Sequence, residues 1–417
     1  MQVAVVGGGV AGVSTAFFLA QAGHEVVVIE RQSNVAEGAS FGSAGTTSPT
    51  QALPWAAPHL PKKLLSMFFK GQGPLFIKPR WNRPLWRWGR RWIDECDMER
   101  YRINTERIYR LGIYSQQVMQ DLRQQFPFDY ERTQGYLQLY RNSAEQNFAA
   151  PLHAMLIEGD IPHRLIDAEE AYRIEPALAR STSLAGALHL PQDDAGNCPL
   201  FCKQLRSAAQ AIGVNFHFGA EVVAIEPPDI GRTGLFVRMG EDRFPVDAAV
   251  VAAGAGSQQL LRPLGIGLPF FPVRTYAATA AIRNFDDAPL GALADASNRV
   301  AITRIGTRVR LAGLAEVGMG AEGMHKGAVR ALLRAGQDWF PDAANYNSAT
   351  LWCDVLPSLP DGPPIIGPTP LHNLYLNIGY GTASWALAAG AGRLLADMIS
   401  GRQPEIDIDG LDMRRFN

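Results

Sequence analysis

The opening thirty residues constrain the fold more than any other part of the chain. Val3-Ala4-Val5-Val6 is a short, continuously apolar run, the pattern of a parallel strand buried on both faces. Gly7-x-Gly9-x-x-Gly12 follows at once, then a mostly apolar helical stretch stopping at Gly23, then Glu25-Val-Val-Val-Ile29-Glu30. Strand, glycine-rich turn, helix and second strand make a βαβ unit, and each glycine has a task in a dinucleotide-binding turn. Gly7 permits the tight turn, Gly9 lets a pyrophosphate approach the backbone, and Gly12 lets the helix pack closely on the strand. Glu30 ends the second strand, where it can accept from a ribose hydroxyl.

Other motifs are weaker. Gly318-x-Gly320-x-x-Gly323 repeats the glycine spacing, but the run before it alternates as an antiparallel strand does and no acid-ended strand follows, so it reads as chance. Gly38-Ala39-Ser40-Phe41-Gly42 has the spacing of a hydrolase nucleophile elbow, which requires a strand before the serine; a loop precedes it here. The eight histidines form no HExxH or i, i+4 pair, so no metal site is expected. Cys96, Cys198, Cys202 and Cys353 include no CxxC pair and read as reduced thiols of a cytoplasmic protein. The first strand begins at Val3, leaving no room for a signal peptide, and no apolar run reaches the roughly 18 to 20 residues of a membrane span. Thirty-nine basic against forty acidic side chains give no general attraction to nucleic acid, and no such partner is expected.

A length of 417 residues allows two or three domains. Further αβ texture appears as a helix over 199–212, strands over 214–218, 221–225 and 246–251, a strand over 374–378, the turn Gly379-Tyr380-Gly381, and a helix over 382–400. Residues 100–180 read as mostly helical, while 270–315 alternate as an antiparallel sheet covered on one face. The expected class is α/β: a Rossmann-like nucleotide-binding domain (1–60, 186–256 and 350–417) interrupted twice by an α+β substrate domain (61–185 and 257–349). Residues 80–92 pack five Arg and four Trp, and a helix from Pro84 would put Leu85, Trp88 and Trp92 on one face with Arg87, Arg90 and Arg91 flanking it. That is the build of a helix lying on a membrane surface or of one docked on its own domain, and Leu64 to Phe69 beside Lys62, Lys63 and Lys70 adds apolar surface.

Several stretches together resemble the FAD-dependent D-amino acid dehydrogenases (small subunit) of the D-amino acid oxidase and glycine oxidase superfamily. They are Ser40-Phe-Gly-Ser-Ala44-Gly45 with Ser48-Pro49, Pro54-Trp55-Ala56-Ala57-Pro58, Gln134-Gly135-Tyr-Leu-Gln-Leu-Tyr140, Ala301-Ile-Thr-Arg304, Pro360-Asp-Gly-x-Pro364-x-Ile-Gly367 and Asn373-Leu-x-Leu-Asn377-x-Gly379-x-Gly381-Thr382. The resemblance implies a D-amino acid oxidase-like fold and FAD bound through Gly7, Gly9, Val10, Ala11, Gly12, Glu30 and Arg31. It further implies a loop with Ser40, Gly45, Thr46 and Thr47 near the phosphates and flavin, Val222 against the adenine, and Ala253 and Gly254 beside the cofactor. The turn with Gly379, Gly381 and Thr382 would aim backbone N–H groups at the flavin N1 and C2 carbonyl, where reduction gathers negative charge.

One departure bears on the substrate. The family holds a substrate carboxylate with an Arg shortly before Pro-Asp-Gly, and this chain has Leu356 there. Leu cannot imitate a bidentate Arg contact, so Arg304 is the first substitute expected, with Arg274 and Tyr276 next. Tyr380 replaces the family's His in the C-terminal turn, and Ala383-Ser384-Trp385-Ala386 replaces Leu-Gly-Trp-Thr. The implied activity is oxidation of a C–N bond of a D-amino acid or related amine, with hydride passing to flavin N5 and electrons then reaching a quinone or other acceptor at the inner face of a membrane. The alternatives are an NAD-dependent dehydrogenase without flavin and a flavin-binding protein that has lost substrate oxidation.

Overall fold

The computed structural model describes residues 1–58, 60–61, 75–77, 82–229, 233–318 and 323–416. The Leu64 to Phe69 stretch, Lys62, Lys63, Lys70, Arg80, Trp81 and the middle of the Gly318 to Gly323 motif lie outside them.

Gln2–Val6 lies inside a six-stranded sheet ordered Ile365–Pro368, Leu374–Ile378, Ala248–Val251, Gln2–Val6, Glu25–Glu30, Asn215–Phe218. All neighbours are parallel except the edge strand Ile365–Pro368. Side-chain alternation explains the unbroken apolar run. Val3 and Val5 pack on the helices Val10–Gln21, Cys198–Ala211 and Ser384–Ile399, while Ala4 and Val6 pack on a three-stranded antiparallel sheet of Val222–Glu226, Leu235–Met239 and Asp242–Val246. With both faces covered, neither parity of the strand tolerates a polar residue. Helix Cys198–Ala211 starts where its sequence says it should: Asn197 caps it by accepting from the Leu200 amide at 3.2 Å, and Pro199 sits in the first turn.

A nine-stranded mixed sheet forms the second layer system. Its path runs Thr350–Ser358, Phe271–Ala281, Arg308–Val317, Val300–Ile305, Ala292–Asp295, Thr133–Tyr140, Gly186–Ala195, Arg164–Ile166, with Leu75–Ile77 pairing alongside Arg308–Val317. The antiparallel expectation for 270–315 holds strand by strand, but Ala292–Asp295 runs parallel to Thr133–Tyr140. Two segments within the ranges expected for the nucleotide-binding domain pair with this sheet instead. Gly186–Ala195 pairs with Thr133–Tyr140, and Thr350–Ser358 pairs with Phe271–Ala281. Alternation identifies a strand but not its partner, so nothing local in the sequence separates the two sheets.

The Arg- and Trp-rich segment forms the helix Arg83–Asp94, docked on this sheet. Trp88 is buried, its ring 5.9 Å from Phe271 and its indole N–H donating to the Ser358 carbonyl at 2.9 Å, and Trp92 stacks on Trp88. The Leu85, Trp88 and Trp92 face that a membrane reading would insert into lipid is therefore spent on the protein's own strand. Among the described residues no helix is long and apolar enough to cross a membrane. All four cysteines are free thiols.

Glu175 follows the helix Ala168–Ile174 and is 3% exposed, its carboxylate accepting from the Leu290 amide at 2.9 Å. Burial raises its pKa from 4.5 to about 7, against the pull of backbone N–H groups and of Arg304. Between those values the folded chain keeps a proton that the unfolded chain has released, so stability from this group is full at low pH and lost as pH rises through about 7. The loss amounts to about 3 kcal/mol at most. Glu175→Gln, which cannot ionise, should flatten the fall in urea midpoint between pH 5 and pH 8, with its largest gain at pH 8; a parallel fall in both proteins contradicts this.

Candidate active site

Two hollows meet between the sheets. A cleft of about 370 Å³ runs past Glu30, the Gly7 to Ala11 turn, Val222 and the Gly379 to Gly381 turn. A cavity of about 870 Å³ lies over the mixed sheet, roofed by Leu53, Trp55 and the helix Arg83–Asp94. Ala39, Leu356, Gly381 and Ser384 line both, so they mark the junction.

At the cleft, helix Val10–Gln21 begins from Gly9 with no side-chain cap of its own. The Val10 amide is met by Ser40 Oγ at 3.0 Å, and the rest of the helix's positive end faces the cleft. Glu30 accepts from the Gly8 amide at 2.5 Å and from the Gln32 amide at 2.8 Å, keeping further lone pairs for a ligand. Arg31, Ala253 and Gly254 also line the cleft. Thr46 and Thr382 line the cavity instead. Gly12, Gly45 and Thr47 line neither: Gly12 packs on Gly7, the Gly45 carbonyl accepts from the Gly196 amide at 2.7 Å, and the Thr47 amide donates to Asp194 at 2.9 Å.

The loop carrying Ser40 to Thr46 is tied to the mixed sheet by Arg310, which no motif flagged, and by Thr303 of the Ala301 to Arg304 stretch. Arg310 donates to the Phe41 carbonyl at 2.8 Å and the Ser43 carbonyl at 3.3 Å, and Thr303 donates to the Ala44 carbonyl at 2.8 Å. Burial pulls the Arg310 pKa down to about 10, which still leaves it charged at neutral pH. Ser40 is thus a helix cap in a short turn, Ala39–Gly42, without the preceding strand that a nucleophile elbow requires.

The expected substrate residues scatter. Arg304 lines neither hollow; it lies over the Phe285 ring at 5.3 Å and donates to the Gly306 carbonyl at 3.3 Å, on the strand parity opposite Ala301 and Thr303. The alternation of Val300–Ile305 sends it away from the cavity. Arg274 likewise lines neither, donating to the Gly323 carbonyl at 2.8 Å and lying 3.7 Å from the buried Glu316. Tyr276 does line the cavity, but its hydroxyl donates to Glu316 and burial pushes it up to about 12. Tyr380 faces the cleft with its hydroxyl donating to Asn377, which in turn donates to Thr15 at 2.8 Å. Burial raises Tyr380 far above the ordinary tyrosine range. Leu356 does stand at the junction. Arg299, in the turn between Ala292–Asp295 and Val300–Ile305, is the residue the sequence reading missed: it is the basic side chain lining the cavity among the described residues. Its only sequence signal was a charge in a turn, which is ordinary.

Residues 2–398 match the family of FAD-dependent oxidoreductases. The chain belongs to that family. It is 38% identical over 418 residues to a D-amino acid dehydrogenase of Bradyrhizobium diazoefficiens, covering 100% of this chain and 99% of the relative. A D-amino acid dehydrogenase of Rhodopseudomonas palustris is equally similar at 38%, with 100% and 98% covered. The fold is similar to glycine oxidase from Geobacillus kaustophilus, with a TM-score of 0.74 and 21% identity over 99% of this chain and 97% of that one.

FAD is therefore the cofactor, which removes the NAD alternative. The cleft fits such a group: Ser40 meets only the Val10 amide, so the rest of the helix's positive end is left for a pyrophosphate, and Gly9 is open. A Cβ on Gly9 would meet only Ser40 Oγ at 3.3 Å in the protein, and its φ of -70° and ψ of 177° suit any residue. A Cβ on Gly12 would stand 1.9 Å from the Gly7 carbonyl. Gly12→Ala should thus unfold the turn, costing about 3 kcal/mol or more. Gly9→Val should keep the unfolding free energy of the flavin-free protein, from urea titration, within about 1 kcal/mol of the parent and yet purify without FAD absorbance. Full flavin occupancy in Gly9→Val would remove this turn from the cofactor site.

Proposed function

We propose that the protein deaminates D-amino acids oxidatively, with FAD in the cleft and the substrate in the cavity, and passes the electrons to a quinone or another acceptor. The observation that carries this reading is the junction at Leu356, Gly381 and Ser384, where the cleft beside the glycine-rich turn and Glu30 opens into a larger, mostly apolar chamber. Identity of 38% end to end with proteins named D-amino acid dehydrogenase supports the substrate class.

When bound, FAD supplies the two-electron acceptor for breaking the C–H bond beside the amine; water then hydrolyses the imine to an oxo acid and ammonia. Gly7, Gly9, Val10, Ala11, Glu30, Arg31 and Val222 would hold its nucleotide half. Gly381 and Thr382, opening the helical segment that continues as Ser384–Ile399 without a side-chain cap, would offer backbone N–H groups and a positive helix end to charge gathering during reduction. The hydrogen-bonded series Tyr380, Asn377, Thr15 fixes this turn, so the donors are in place beforehand. The apolar lining keeps bulk water from the reacting carbon. A side-chain base is unnecessary if the amine enters neutral, consistent with hydroxyls at Tyr276 and Tyr380 that are already engaged. Exposed Trp86 and Ile93 at the cavity rim, beside exposed Arg87, Arg90 and Arg91, favour a membrane-side acceptor.

Anaerobic mixing of the holoenzyme with enantiomer pairs checks the reading. D-amino acids should bleach the flavin band about tenfold or more faster than their L forms. No bleaching by any amine, or faster bleaching by the L forms, overturns it.

A further inference from the structure

Leu356 removes the cation from the place where relatives of this kind are expected to carry one, yet a desolvated carboxylate must still be met by charge. The cavity supplies a single basic side chain among the described residues. Besides Arg299, its ionisable acid groups are Glu145 and Asp295, and both are engaged. Glu145 accepts from the Arg141 amide at 2.9 Å, and Asp295 is paired with Arg141 at 2.6 Å. Arg299 makes no hydrogen bond or ion pair among the described residues, and the phenol of Tyr101 is its electrostatic neighbour. It is accessible to solvent yet crowded by protein, the combination expected of a side chain reaching into a deep chamber. Burial pulls its guanidinium below the ordinary arginine range, so the site gains from an arriving anion. Its φ of 51° is a left-handed conformation that β-branched residues avoid, and it turns the chain so that this residue is presented at the strand end.

The register gives the span. Leu356 pairs with Val273, and Val273 with Val317, while Val300, next to Arg299, pairs with Gly313 on the same strand as Val317. Arg299 therefore sits three strands across the sheet from Leu356 and about three residues along it, roughly 17 Å away at about 4.8 Å per strand and 3.3 Å per residue. A long Arg side chain and a bound amino acid together bridge that distance; neither does so alone. What remains of the chamber is apolar and large. With a flavin against Thr46, Gly381 and Thr382, the rest of the cavity is walled by Leu53, Trp55, Leu85, Trp92, Ile93 and Met98, which a side chain as small as that of alanine would leave uncovered.

We infer that the site selects amino acids with bulky apolar side chains, whose carboxylate is received by Arg299 in place of the residue lost at position 356. This rests on the amine-oxidising reading above and adds to it a substrate class and an anchor on a different strand. The side chain then fills the Trp-lined part of the chamber, displacing water from apolar walls.

Two measurements test it on the FAD-loaded protein. In anaerobic flavin reduction, D-phenylalanine should outperform both D-alanine and 2-phenylethylamine by about tenfold or more in second-order rate. Arg299→Met should retain FAD but lose roughly 100-fold on D-phenylalanine, collapsing its preference over 2-phenylethylamine, with Arg299→Lys recovering part of the loss. Calorimetric binding of 3-phenylpropionate should weaken at least about tenfold in Arg299→Met, and acetate should bind the parent more weakly than 3-phenylpropionate does. D-alanine matching D-phenylalanine, or equal 3-phenylpropionate affinity in parent and Arg299→Met, overturns the inference. If no amine bleaches the flavin, the deamination reading falls, and the calorimetric comparison still decides whether Arg299 receives a carboxylate.

Discussion

The loop between Ala39 and Thr47 is held from both sides, and the position of the active site depends on that double attachment. On one side Ser40 caps the first helix through the Val10 amide. On the other, Arg310 and Thr303 take the carbonyls of Phe41, Ser43 and Ala44, and the Gly196 and Thr47 amides close the remaining contacts. The charged donor is buried, so its hydrogen bonds are strong, and leaving those carbonyls unpaired would cost about 1 to 3 kcal/mol each. The parallel sheet and the mixed sheet are thereby joined at the place where the cofactor cleft opens into the cavity.

That junction puts unlike environments side by side. The cleft offers backbone N–H groups, a helix end and Glu30, the means by which a charged nucleotide is held. The cavity offers mainly apolar walls with one unpaired cation among the described residues. An apolar chamber strengthens whatever electrostatic contact it contains, because little water competes. Arg299 gains importance for that reason, and Arg304 does not share it. Arg304 already has an aromatic ring beneath it and a carbonyl partner, on the far face of its strand.

The Arg and Trp cluster shows the same competition between local pattern and tertiary partner. Its amphipathic helix forms as expected from Pro84 and the spacing of Leu85, Trp88 and Trp92. The apolar face meets Phe271 and Val273 rather than lipid, because a strand of the same chain presents matching surface. The exposed remainder, Trp86 and Ile93, borders the cavity.

Much of the cofactor half was legible before any coordinates. The βαβ unit, its three glycines, Glu30 and the Leu374–Ile378 strand with its glycine turn are local: each is specified by a short run whose periodicity or backbone demand has one physical solution. The substrate half was not. Gly186–Ala195 and Thr350–Ser358, expected within the nucleotide-binding domain, pair with the mixed sheet instead, because pairing is fixed by contacts between segments far apart in the chain. Nor could composition rank Arg274, Arg299 and Arg304, three like cations within one region. By itself the sequence determined a dinucleotide-binding sheet and the absence of the expected arginine at Leu356, and the family match then settled FAD over NAD. Only the tertiary structure decided which arginine faces the cavity, since that depends on strand parity, the turn at Arg299 and the partners that each cation has already found.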